Sequence, residues 1–132
     1  MVLDTSAVIA ILRNEPDADR YRRAIEEADE LRIGAPTLVE CEIVARAALG
    51  EEGALDLRAF ICLLDVRVEP FGPREAEYAS LAYRRYGKGR HDGGLNLGDC
   101  FSYAIAASHD EPLLFKGDDF SRTDIASALA AP

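Results

Sequence analysis

Acidic residues at a few widely separated positions could act together in this 132-residue chain. They are Asp4, Glu40, Asp99 and the adjacent Asp118 and Asp119. Asp4 follows the apolar pair Val2-Leu3, and Glu40 lies in the first turn after a second apolar stretch. Asp99 opens a later helix, and Asp118-Asp119 follow Leu113-Leu114-Phe115. If the apolar stretches are parallel strands, their carboxyl ends share one edge of a sheet, where ligands bind, so distant acids can converge there. Convergence is costly. Two carboxylates about 4 Å apart repel by roughly 4 kcal/mol at an effective dielectric near 20, which calls for a protonated member or a divalent cation. Oxygen donors with no His or Cys among them suit a hard ion such as Mg²⁺ or Mn²⁺.

Each acid also has a purely structural reading. Thr37-x-x-Glu40 has the form of a capping box, and Asn96-x-x-Asp99 looks like a weaker version. Asp118 and Asp119 suit a turn. Asp4 is harder to explain that way, because an acid between an apolar strand and an apolar helix is expensive unless it is hydrogen-bonded or metal-bound. The joint pattern, more than any single residue, points to a site.

The elements that must position these acids alternate as short apolar strands and amphipathic helices, the pattern of an α/β fold with a parallel sheet. Val2-Leu3 reads as a first strand, followed by a helix carrying Val8, Ile9, Ile11 and Leu12. After Pro16 a second helix repeats Ala18, Tyr21, Ile25 and Ala28 at three- and four-residue steps. Leu31-Arg32-Ile33 is a strand, and Thr37 is expected to start a helix that turns Leu38, Cys41, Val44 and Ala48 inward and ends at Gly50. A helix from about Leu55 to Leu64, a strand through Val66 and Val68, and a helix from Pro73 to Tyr86 follow. The glycine-rich stretch Gly87 to Gly98 reads as a loop. Asn96 then caps a helix through Ser108, Leu113 to Phe115 form a strand, and a short helix is expected over Ile125 to Ala131.

Composition narrows the class. A 48% apolar and 30% charged chain is globular, and its net charge of −9 repels polyanions unless a local basic surface or metal ions offset the field. Arg84, Arg85, Lys88 and Arg90 form such a cluster, with a solubilising helix end as the plain alternative. Cys41, Cys62 and Cys100 read as core thiols, no zinc spacing, phosphate-cradling loop or bilayer-length apolar run is present, and no signal peptide is expected from the first residues, which lack a basic start and a cleavage site. A cytoplasmic, membrane-free protein is expected. His91 in the loop and His109 near a helix end read as surface residues.

Four segments carry a resemblance over residues 2 to about 125. Val2-Leu3-Asp4-Thr5-Ser6-Ala7, Thr37-Leu38-Val39-Glu40, Leu95-Asn96-Leu97-Gly98-Asp99-Cys100 and Leu113-Leu114-Phe115-Lys116-Gly117-Asp118-Asp119-Phe120 resemble, in order and spacing, the PIN-domain ribonucleases. They look most like the VapC-type toxins of toxin–antitoxin pairs. The resemblance implies one three-layer PIN domain over residues 1–132, with a central parallel sheet of about five strands flanked by helices. It implies a Mg²⁺- or Mn²⁺-dependent endoribonuclease in which Asp4 and Asp99 are the principal metal ligands, Glu40 the third acid and Asp119 the fourth. Asp118 is then an alternative ligand or an indirect contact, and Thr5 and Ser6 are hydrogen-bonders beside the first acid. An RNA substrate, a VapB-type antitoxin and a homodimer are implied too. Tyr78, Tyr83, Tyr86 and the helices after Pro16 and Thr37 could offer contact surface or simply pack. The competing readings are a receiver-like signalling domain using Lys116 and a catalytically inactive PIN-fold binding module.

Overall fold

A computed structural model describes residues 1–89 and 94–129. Among these residues four parallel strands form the sheet: β1 (Val2–Leu3), β2 (Arg32–Gly34), β3 (Arg67–Glu69) and β4 (Leu113–Leu114), in the order β3-β2-β1-β4. The helices are α1 (Thr5–Leu12), α2 (Ala18–Glu26), α3 (Ala35–Leu63), α4 (Pro73–Tyr86) and α5 (Leu97–His109). Val2 pairs with both Arg32 and Leu113, and Ile33 with Val68, so β1 lies at the centre.

Period-two alternation builds the layers. Leu3, Ile33 and Leu114 join Ala7, Val8, Tyr21, Cys41 and Leu57 in a core beneath α1, α2 and α3. Val2 and Leu113 join Ala79, Ala82, Cys100, Tyr103 and Ala104 in a second core beneath α4 and α5. Two cores on opposite faces of one sheet make the expected three-layer arrangement. Ala18, Tyr21 and Ile25 are buried, as their helical spacing predicts. No helix among the described residues is long and apolar enough to cross a membrane.

Several expectations need correction. The described sheet has four strands where about five were expected, and residues 125–129 are irregular where a terminal helix was expected. The two departures have one cause. The Leu113 N–H donates to the Ala126 carbonyl at 2.9 Å and the Ala128 N–H to the Leu113 carbonyl at 2.9 Å, so this segment lies along β4 as an isolated bridge. Its backbone groups are thereby taken from any helix. Ala131 lies outside the described residues.

α3 starts two residues before Thr37, with Gly34 in extended backbone at its cap and Pro36 in the first turn. The inward face is therefore Thr37, Cys41 and Ala45, while Leu38 and Val44 are half-buried and Ala48 is exposed. Gly50 breaks this helix as expected, at φ +70°, and a second helical stretch follows directly. On that stretch Ala54 and Leu57 face the core, which leaves Cys62 on the outer side. Cys41 and Cys100 are core thiols, but Cys62 is not.

Candidate functional site

β1 ends at Leu3, and the next residue turns into α1. Asp4 occupies that turn as the N-cap of α1, accepting the Ser6 N–H at 2.9 Å on Oδ2. Its burial is nearly complete, at 4% exposure. The Ser6 hydroxyl also donates to Oδ2, at 2.5 Å, and itself accepts the Lys116 backbone N–H at 2.9 Å. The Ser102 hydroxyl of α5 donates to Oδ1 at 2.6 Å. Asp4 is thus held by α1 and by α5, and through Ser6 by the segment after β4. Thr5 is buried beside it, with the Cys41 Sγ 3.6 Å from its hydroxyl. Burial pushes the Cys41 thiol up to about 12, so this cysteine is no nucleophile at neutral pH.

Asp99 stands in the first turn of α5. The capping box read from Asn96-x-x-Asp99 forms in full: Asn96 Oδ1 accepts the Asp99 N–H at 2.9 Å, and Asp99 Oδ2 accepts the Asn96 N–H at 2.8 Å. Its carboxyl is nevertheless pushed up from 3.8 to about 7. Burial is the largest cause, the bond from Asn96 opposes it, and the charges of Asp4, Asp119 and Glu40 raise it further. Three acids from three other places in the sequence therefore act on Asp99. The second proposed capping box does not form, since Thr37 lies inside α3 with its hydroxyl 3.4 Å from Ser102 Oγ.

Glu40 is half-buried on α3, against the first turn of α5. A Cβ built on Gly98 would fall 2.0 Å from Glu40 Oε2, so the missing side chain at Gly98 is what leaves room for this carboxylate. Asp118 and Asp119 are both exposed, and the Asp118 carbonyl accepts the Ser121 N–H and hydroxyl in a turn, at 3.0 and 2.5 Å. The acids share a field without closing into a cage: no three His, Cys, Asp or Glu side chains among the described residues stand as an ion-holding set.

The basic cluster is only partly described. Arg84 and Arg85 lie in the last turn of α4 and are exposed, as is Lys88, whereas Arg90 and His91 lie outside the described residues. Arg85 is 3.9 Å from Asp124, which also accepts the Tyr103 hydroxyl at 2.8 Å. Arg84 lines a cavity of about 850 Å³ with Phe71, Tyr83, Leu97, Cys100 and Phe101, so it shares a wall with residues on both sides of Asp99. Tyr78 and Tyr86 pack against the core beneath α4 and α5. The Lys116 ammonium is bound by Asp17 and Glu15 in the link between α1 and α2, away from the role a receiver domain would give it.

Sequence reasoning missed Ser102 and the cap role of Asp4. A serine inside an otherwise Ala-rich helical stretch was the available signal, three residues past Asp99.

Comparison with known proteins agrees with this geometry. The PIN domain family matches residues 1–126. Ribonuclease VapC30 of Mycobacterium tuberculosis is 46% identical over 128 residues, covering 96% of this chain and 97% of that one. The crystal structure of Mycobacterium tuberculosis VapC20, a sarcin-ricin loop cleaving toxin, matches the fold with a TM-score of 0.77 over 95% of each chain at 19% identity. That of VapBC2 from Rickettsia felis, bound to a promoter DNA fragment, matches with a TM-score of 0.73 over 96% of this chain and 94% of that chain at 14% identity. By sequence match and by fold, this chain belongs to the PIN-domain family, among relatives named VapC ribonucleases.

Proposed function

We propose that this chain is a divalent-metal-dependent endoribonuclease, the toxin of a toxin–antitoxin pair, working in the cytoplasm as one PIN domain over residues 1–132. The observation that supports this most is the placement of Asp4, 4% exposed at the end of β1 and tied through Ser102 to the helix that bears Asp99, with Glu40 against the first turn of that helix; the Asp99 carboxyl is raised by burial and then by the charges of Asp4, Asp119 and Glu40. A chain gains nothing in stability from such a cluster, and an all-oxygen set fits Mg²⁺ or Mn²⁺. Asp4 and Asp99 would hold the ion, with Glu40 and Asp119 contributing directly or through water and Asp118 the alternative to Asp119. An ion bound there would supply positive charge to activate a water and to offset charge on the phosphate oxygens.

The chain's own residues do the rest. Ser6 and Ser102 fix the Asp4 carboxylate: the Ser6 N–H and hydroxyl occupy both lone pairs of Oδ2, and Ser102 occupies one on Oδ1, which keeps the other for an ion. The Asn96 N–H fixes Asp99 in the same way. Arg84, Arg85, Lys88 and Arg90 would draw the RNA backbone toward the wall of the cavity that flanks Asp99, against the repulsion of a −9 chain. A VapB-type antitoxin would be the protein partner, a reading supported by the VapBC2 complex among the fold neighbours, and a second copy of the chain is proposed on the family resemblance.

The test is RNA cleavage by metal-stripped protein with Mg²⁺ or Mn²⁺ returned, comparing wild type with Asp4→Asn and mapping the cut ends. Asparagine keeps the helix cap, so the fold should persist by circular dichroism. Cleavage that needs the ion and vanishes in Asp4→Asn is expected; equal cleavage by the two proteins rejects the reading. Neutralising Arg84, Arg85, Lys88 and Arg90 together should weaken RNA binding and flatten its salt dependence.

A further inference from the structure

Ser102 is 1% exposed, on a helix whose buried face is otherwise largely apolar and includes Cys100, Ala104 and Ala106. Alanine would pack there, and burying a hydroxyl costs free energy unless it is hydrogen-bonded. Ser108 on the same helix satisfies its hydroxyl locally, donating to the Ile105 carbonyl at 3.1 Å. The Ser102 hydroxyl instead donates to Asp4 Oδ1 at 2.6 Å, across 98 residues of sequence. Its oxygen lies 3.4 Å from the Thr37 hydroxyl, itself 2% exposed. A carboxylate only accepts, so with Ser102 donating to Asp4 the Thr37 hydroxyl is the donor to Ser102.

The spacing gives this chain of hydroxyls a direction. Ser102 follows Asp99 by three residues on α5, and Thr37 precedes Glu40 by three on α3. Residues three apart share a helix face, so each hydroxyl lies one turn from an acid of the site. From this we infer that Ser102, seconded by Thr37, is a positioning residue: a buried hydroxyl layer that ties the helices bearing Asp99 and Glu40 to Asp4 and so holds the carboxylates ready for a divalent ion. The inference rests on the metal-dependent reading above, and it adds residues that do not touch the ion.

The experiment is Mn²⁺ binding, read by electron paramagnetic resonance of the free ion, for wild type, Ser102→Ala, Thr37→Val and the double variant. Outer hydrogen-bond partners of metal ligands are typically worth 10- to 100-fold in affinity, so Ser102→Ala should weaken Mn²⁺ by about tenfold. Thr37→Val, acting through Ser102, should weaken it by about threefold, and the double variant should be no worse than Ser102→Ala alone. Two effects that multiply would mean independent packing changes and would overturn the layer. Equal affinity of wild type and Ser102→Ala overturns the inference while leaving the nuclease reading intact. Failure of wild type to bind Mn²⁺ removes the reading and the inference together. If Ser102→Ala does not fold, the near-isosteric Thr37→Val decides by itself: weaker Mn²⁺ supports the layer, and unchanged affinity overturns it.

Discussion

The two ends of α5 each gather carboxylates from several elements, and they treat them in opposite ways. At the last turn, Glu30, Glu69 and Glu111 surround Arg32, which donates to Glu111 at 2.8 Å and pairs with Glu69 and Glu30 as well. His109 lies 3.7 Å from Glu69, a favourable place for a cation at a helix C-terminus. The bonds to Glu111 and then Glu69 hold the guanidinium even more firmly protonated than usual. At the first turn, burial first and then the charges of Asp4, Asp119 and Glu40 raise the Asp99 carboxyl to about 7. One end shows what the chain does with acids that serve the fold; the other shows acids gathered against the fold's interest. That contrast sets acids paired with a guanidinium at one end of the helix against the acids proposed to hold an ion at the other.

The sharpest way to break the contrast is Asp99→Asn, which should move activity and stability in opposite directions. RNA cleavage should fall by about a thousandfold, a loss of roughly 4 kcal/mol at the transition state. Metal-free stability should rise at neutral pH, because asparagine can still accept the Asn96 N–H but brings no charge. Folding raises the Asp99 value from 3.8 to about 7, so between these values the folded state binds more protons than the unfolded state. Wild-type stability from this group is therefore greatest below the lower value and is lost as pH climbs toward 7. Thermal melts from pH 5 to pH 8 without metal should show the gap between variant and wild type widening with pH. A constant gap would mean that folding does not raise the Asp99 carboxyl.

The counterpart at the other end is Arg32→Met, which strands three carboxylates with less to answer them. Removing one partner from a largely buried ion pair costs about 3 kcal/mol, which for a chain this size lowers the melting temperature by roughly 10 °C. Cleavage by the folded fraction at low temperature should be unchanged. A variant that melts normally but cleaves poorly would erase the distinction between the two clusters. A smaller effect should come from the ion alone. At a hundred times its dissociation constant, Mn²⁺ should stabilise wild type by about 2.7 kcal/mol and Asp99→Asn by far less, as read from melting temperature.

How much of this could be read from the sequence depends on range. The positions of Asp4 after a strand and of Asp99 at a helix start, and the Asn96 capping box, were legible because strand ends and helix starts carry local signatures, and the alternating elements gave the three layers. Thr37 misled because a Thr-x-x-Glu motif is judged without knowing that Gly34 and Pro36 begin the helix earlier. That shift of two residues moved the buried face of α3 to Cys41 and Ala45 and turned Thr37 toward Ser102. The terminal segment was misread because Leu113 captures its backbone, a contact between residues no local pattern connects. Ser102 and Arg32 share that difficulty, since their partners are Asp4 and Glu111, far along the chain.

Gly98→Ala is the smallest change and tests how closely the acid cluster is fitted. In the first turn of α5, replacing glycine by alanine should by itself favour the helix by about 0.5–1 kcal/mol. The new Cβ would meet Glu40 Oε2 at 2.0 Å, which cannot be accommodated unless the carboxylate swings aside. That end is flexible and Glu40 is only half-buried, so the clash should cost little and leave the melting temperature within a few degrees of wild type. Displacing Glu40 also lifts one of the charges that raise Asp99, so the Asp99 value should drop, visible by carboxyl NMR titration. Cleavage should fall about tenfold if Glu40 serves the site from its present place. A variant with wild-type cleavage and an unmoved Asp99 would show that Glu40 is a bystander, and the functional cluster would shrink to Asp4, Asp99 and Asp119.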